Sequence, residues 1–127
     1  MKKLIVRAVA ALTVAASAAA YAQTATDEPP RAYMIGSYDI KDQTVFQQYI
    51  EAASPLVTQY GGRVIVYNPN VTAIEGNSRS VIAIAEFPSL ADAQRYYNSP
   101  EYTAARQFFT KSTEGFRIIT EGAGLPQ

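Results

Sequence analysis

The chain has 127 residues, no cysteine and no histidine, and its 11 basic side chains balance 11 acidic ones. A chain of this length forms one domain at most. The two missing residue types exclude Ser-His-Asp and Cys-His catalysis, histidine-ligated haem and ordinary zinc sites. Carboxylates, arginines and tyrosines are left to carry any chemistry.

The N-terminus has the pattern of a signal peptide over residues 1–22. A basic start is followed by an uncharged, alanine-rich run over residues 8–20 and by the small-x-small motif Ala20-Tyr21-Ala22. An uncleaved membrane anchor is the alternative, but a span needs about 20 strongly apolar residues, and this run is shorter and less apolar. We therefore predict cleavage after Ala22 and a periplasmic or secreted protein.

The mature chain would be acidic, with 8 basic against 11 acidic side chains and a net charge near −3. We expect neither a nucleic-acid partner nor, after cleavage, a membrane partner, because no basic patch remains to neutralise phosphates. Residues 23–31, with two adjacent prolines, predict a disordered leader. The domain is expected over residues 32–122 and a C-terminal tail over residues 123–127.

β-Branched and aromatic residues predict a first strand over Ala32–Ile40. A helix follows, with Asp42 as its N-cap and Gly61 as the left-handed residue after its end. Pro55 lies inside this helix and predicts a kink or a restart at Ser54.

Four further segments have strand composition, and the third of them is the most apolar: Arg63–Tyr67, Val71–Glu75, Ser80–Phe87 and Phe116–Glu121. Between the last two, Ser89 is expected to cap a helix, with Asp92 completing a capping box. The helical spacing breaks at Ser99-Pro100, where an N-cap and a proline at the first helical position predict a new helix. Gly115 is expected to end that helix.

The resulting order, β-α-β-β-α-β, predicts an α+β, ferredoxin-like fold, in which an antiparallel four-stranded sheet carries its helices on one face. The other face should be polar if it meets water, yet Ile82 and Ile84 point to it. The same sheet from a second copy would cover it, which predicts a closed two-fold homodimer.

Several short motifs resemble a known bacterial family of small domains of unknown function in the dimeric α/β-barrel superfamily. They are Gly61-Gly62-Arg63, Glu75-Gly76, Glu86-Phe87-Pro88-Ser89, and Tyr97-x-Ser99-Pro100-Glu101-Tyr102 with Arg106 four residues on. The resemblance covers residues 32–122, and the export signal departs from it. The superfamily includes cofactor-free monooxygenases, lactone isomerases, haem-processing enzymes and ligand sensors, so the fold alone decides little.

In the resembling fold, the Ser99-Pro100 loop lies over the open edge of the space between helices and sheet. Its role is structural in one interpretation; in the other, Tyr97 and Tyr102 line the mouth of a small pocket there. The candidate ligand-binding residues are Arg63, Tyr97, Ser99, Tyr102 and Arg106.

Glu86 is the candidate catalytic residue. It follows an apolar run on the strongest strand, and a buried carboxylate is costly unless it is paired. It either forms a structural ion pair, with Arg63 as one candidate partner, or acts as acid or base on a small substrate. The sequence has no glycine-rich phosphate loop and no calcium-loop spacing, so we predict no cofactor and no metal.

Three functions remain open at this point. The first is an exported homodimer that binds a small organic molecule between helices and sheet. The second is a cofactor-free monooxygenase or isomerase, and the third is a protein whose dimer surface serves only assembly.

The signal peptide gives the first testable prediction. Mass spectrometry of periplasmic or secreted material should find a mature N-terminus at Gln23. An intact Met1 on protein recovered from the cytosol would contradict it.

Overall fold

A computed structural model describes residues 28–124, so the predicted signal peptide and most of the predicted leader lie outside the described residues. This part of the chain contains four strands and three helices. They are β1 (Ala32–Ile40), α1 (Gln43–Gln59), β2 (Arg63–Asn68), β3 (Val81–Phe87), α2 (Leu90–Asn98), α3 (Pro100–Ser112) and β4 (Thr113–Glu121).

The strands form one antiparallel sheet in the order β2-β3-β1-β4. Successive side chains of a strand point to opposite faces, and alternate residues of β1 and β3, including Met34 and Val81, join one core with the apolar sides of the helices. The helices therefore cover a single face of the sheet. This confirms the predicted ferredoxin-like fold.

Side-chain oxygens cap all three helices at the predicted positions. Asp42 accepts a hydrogen bond from the N–H of Val45, Ser89 from Asp92 and Ser99 from Tyr102, each at 3.1 Å. Such caps satisfy backbone donors that have no partner inside a helix. Helix α1 runs through Pro55 as one element, so the restart expected at Ser54 does not occur.

Two predicted features were wrong. Val71–Glu75 is not a strand but part of the β2–β3 connection; strand composition favours a strand only where the side chains pack against a sheet or core, and Ile74 is 93% exposed. Gly115 does not end a helix: α3 ends at Ser112 and Gly115 lies within β4. Its φ of +149° and a close backbone approach explain the glycine, since a Cβ there would lie 2.2 Å from the carbonyl oxygen of Ser37.

The sheet face that points away from the helices, called the outer face below, carries an apolar row across all four strands. Its strand register aligns one row of β-branched residues: Val66, Ile84, Ile35 and Ile118. Ile118 and the neighbouring Phe116 are about half exposed, at 49% and 56%. A half-solvated antiparallel sheet normally presents polar side chains to water, so this row has the composition of a buried surface.

Candidate functional site

A cavity of about 90 Å³ lies between the helices and the sheet. Its wall is contributed by all four strands and all three helices, and most of its lining residues are aliphatic or aromatic. At the edge strand β2, Val64 and Tyr67 line the cavity and are also exposed, so its mouth lies there. An apolar space with a few polar groups is the usual form of a small-molecule site.

Arg117 is the charged residue in the wall of this cavity. It lies on β4 opposite Gly36 of β1, and the missing side chain of Gly36 gives it room, because a Cβ there would lie 3.1 Å from Arg117 Cγ. The guanidinium carbon lies 3.7 Å from the centre of the Phe109 ring. A cation over an aromatic face is stabilised by the ring quadrupole.

Two tyrosine hydroxyls accept hydrogen bonds from the same nitrogen of Arg117. Its Nη1 donates to Tyr49 Oη at 3.1 Å and also to Tyr102 Oη. The two hydroxyl oxygens lie 3.0 Å apart and share a further hydrogen bond. Side chains from α1, α3 and β4 therefore meet at one polar point inside an aromatic core.

The guanidinium remains a cation in this setting. Burial alone lowers the pKa of Arg117, but the neighbouring Tyr102 and Tyr49 hydroxyls outweigh burial and the pKa lies above its ordinary value. None of the ion pairs among residues 28–124 includes Arg117. A half-buried charge without a counter-ion is costly. Arg117 is therefore the charged group with which a ligand in the cavity would interact.

Three tyrosines that line the cavity are held in their neutral form. Burial raises the pKa of Tyr38, Tyr49 and Tyr96 well above the ordinary phenol value. A phenol that keeps its proton can donate or accept a hydrogen bond, but it is a poor general base near neutral pH. The site can therefore bind and orient a polar group more readily than it can remove a proton.

Glu86 lies away from this cavity. Its position on β3 alternates with the core residues Ala85 and Phe87, and its carboxylate Oε1 is 3.2 Å from Nε of Arg63 and 3.4 Å from Nη1 of Arg31. The structural alternative, an ion pair with Arg63, is thus present. Neither Glu86 nor Arg63 lines the cavity.

The other predicted site residues cluster around the start of α3. Ser99 Oγ caps that helix and donates to the Tyr96 carbonyl at 2.8 Å, so its role is structural. Tyr102 is fully buried and does not form a pocket mouth, contrary to that interpretation. Tyr97 and Arg117 border a separate depression of about 280 Å³, and the Arg106 guanidinium stacks 4.5 Å above the Tyr97 ring.

Arg117 and Tyr49 were not among the site residues predicted from the sequence. A charged residue alternating with Phe116 and Ile118 was the available signal, since alternation alone places Arg117 and Ile119 on one face of β4. That signal does not say which face meets the helices, because both are apolar.

A family comparison agrees with the motifs. The family described as a domain of unknown function, DUF1330, matches residues 31–123. The chain belongs to DUF1330. No curated protein sequence matches it.

Solved structures of similar fold come from several bacteria. A protein of unknown function from Rhodopseudomonas palustris has 17% identity and a TM-score of 0.64, over 81% of this chain and 91% of that one. A dimeric protein of unknown function and ferredoxin-like fold from Bacteroides fragilis has 17% identity and a TM-score of 0.50, over 75% and 99%. SnoaB, a cofactor-independent oxygenase from Streptomyces nogalater, has 8% identity and a TM-score of 0.54, over 73% and 93%. Identities this low establish the DUF1330 chain's fold alone.

The described part of the chain contains neither a cluster of metal ligands nor a membrane-spanning helix. No three His, Cys, Asp or Glu side chains between residues 28 and 124 are grouped so as to hold a metal ion. Within the same range, no helix is both long enough and apolar enough to cross a bilayer.

The raised tyrosine pKa values give a prediction for alkaline solution. Tyr38, Tyr49 and Tyr96 should stay protonated beyond about pH 10, where phenols in the unfolded chain ionise. Because only the unfolded state then releases these protons, stability should fall as pH rises above that value. Near-ultraviolet absorbance and circular dichroism should show late phenol ionisation coinciding with unfolding, and Tyr38→Phe should remove one phenol from that late step. Ionisation of all tyrosines while the fold persists would contradict the prediction.

Proposed function

We propose that this DUF1330 protein is an exported homodimer that binds a small organic molecule in the cavity between its helices and sheet. The observation that carries the proposal is the cavity itself: it is apolar, opens at β2 and contains the guanidinium of Arg117 in its wall. A void and an unpaired cation each destabilise a core, so their presence together favours a binding role.

The dimer is supported by the outer face and by one structural relative. The row formed by Val66, Ile84, Ile35 and Ile118 crosses the whole sheet, and large apolar surfaces of this kind mark interaction sites. The Bacteroides fragilis protein of similar fold is described as dimeric. A second copy of the sheet provides a matching apolar surface under two-fold symmetry.

Cofactor-free oxygenation or isomerisation is the alternative, and SnoaB shares the fold. The described cavity favours binding instead. Its lining residues include no carboxylate, and its tyrosines Tyr38 and Tyr49 have raised pKa values. A reaction that begins with proton removal would need a base.

Cavity occupancy can be tested with four compounds of similar shape: isobutyrate, isobutyramide, isobutanol and isobutylamine. At least one should bind the purified protein and shift amide resonances of cavity-lining residues in a two-dimensional NMR titration. Ala53→Leu should abolish this binding, because Ala53 is a buried lining residue and leucine adds three carbon atoms inside the cavity.

Ala52→Leu is the matched control, since Ala52 neighbours Ala53 on α1 but is exposed. It should bind as the wild type does. Binding of none of the four compounds, or binding that survives Ala53→Leu, would overturn the proposed site. An isobutyrate-derived product in the same samples would instead favour the enzyme alternative.

The dimer has its own test. Ile118→Glu should yield a monomer by light scattering at micromolar concentration, because it places a charge in an interface of at least about 1,200 Å². Ile74→Glu is the control: Ile74 is 93% exposed in the β2–β3 connection, outside the outer face, and the variant should stay dimeric. A monomeric wild type would contradict the prediction.

A further inference from the structure

We infer that the molecule bound in this cavity is a small organic acid whose carboxylate pairs with the Nε–Nη2 edge of Arg117. The inference rests on the proposed function, since it assigns a chemical class to the ligand of that same cavity. It is carried by the hydrogen bonds of Arg117 and by its lack of a counter-ion among the described residues.

The protein occupies one end of the guanidinium and leaves the other available. Both tyrosine hydroxyls accept from Nη1, whereas Nε and Nη2 have no hydrogen-bond partner between residues 28 and 124. No fully buried side-chain nitrogen or oxygen in that range lacks a partner, so Nε and Nη2 border open space. Arg117 lines both the cavity and the depression beside Tyr97, and we assign the free edge to the cavity. Their parallel N–H groups match the two oxygens of one carboxylate.

The aromatic surroundings restrict the direction of approach. The Phe109 ring covers one face of the guanidinium at 3.7 Å, so stacking of a ligand on that face is blocked. A partner that approaches in the guanidinium plane meets no such obstacle. This geometry favours a planar oxyanion over a cation or an aromatic ring.

The nearby acids of the sheet are paired with arginines other than Arg117. Glu86, the most buried carboxylate of the sheet, is paired with Arg63 and Arg31 on the other side, and Asp39 is paired with Arg79. The Arg117 cation is therefore matched by none of these acids. A bound carboxylate would supply the missing negative charge in a setting that is drier than bulk water and strengthens the pair.

Cavity size limits the rest of the ligand. A dry cavity of about 150 Å³ holds benzene, and the space here is about 90 Å³. The apolar part that fits is smaller than a phenyl ring, unless it extends through the mouth at β2. Short or branched aliphatic acids satisfy both the charge and the size.

The four isosteric compounds separate this inference from the proposed function. Isobutyrate should bind at least about tenfold more tightly than isobutyramide at constant ionic strength, since hydrogen bonds between two charged groups are the strong ones. Isobutylamine should not bind. Arg117→Gln should reduce isobutyrate affinity by about tenfold or more, and Arg117→Lys, which keeps the charge but loses the fork, should lie between.

Arg95→Gln is the matched control, because the Arg95 guanidinium also lies over an aromatic ring, that of Tyr60, but does not line the cavity. It should leave isobutyrate affinity unchanged. If Arg117→Gln does not fold, the Nε–H resonance of Arg117 in the wild type gives the answer, since isobutyrate should shift it and isobutyramide should not. Equal affinity for acid and amide, with binding lost in Ala53→Leu, would overturn the inference and leave the cavity proposal standing. Isobutyrate binding that depends on Arg117 but survives Ala53→Leu would place the carboxylate outside the cavity and overturn both proposals.

Discussion

The hydrogen bonds from Arg117 to Tyr49 and Tyr102 constrain more of this structure than any other polar contact described. They join β4 to α1 and α3 at a point where the surrounding side chains are aromatic. A guanidinium can sit there only because Gly36 opposite has no side chain, and because the Phe109 ring supports one of its faces. The cavity is the space that this arrangement leaves unfilled.

The fold was predictable because each local signal has a short-range cause. The start of α3 shows this. The side-chain oxygen of Ser99 accepts a hydrogen bond from the N–H of Tyr102, and Pro100 has no N–H that would be left unpaired in the first turn. Together the two residues specify where α3 begins. The supposed strand Val71–Glu75 failed for a long-range reason. Its composition suits a strand, but such composition favours a strand only where the side chains pack against the rest of the protein, and Ile74 is 93% exposed.

The candidate site was less predictable because it depends on which face of β4 meets the helices. Phe116 and Ile118 lie on one side of β4 and Arg117 and Ile119 on the other, so the sequence does not decide which side is buried. In the fold Arg117 faces the helices, and Phe116 and Ile118 lie on the outer face. Glu86 was a candidate catalytic residue for the same reason. An acid after an apolar run can point to either side of a sheet that has apolar residues on both faces.

The position of the cavity mouth has a consequence for exchange kinetics. Strand β2 pairs only with β3, its register shifts between Val64 and Val66, and most of its residues are exposed. Segments of this kind open locally at much lower free energy than central strands do. Fraying of β2 would move Val64 and Tyr67 away from the opening, so a ligand could enter and leave while the β1–β3–β4 part of the sheet stays intact. Amide hydrogen exchange along β2 and ligand dissociation would then report the same local motion.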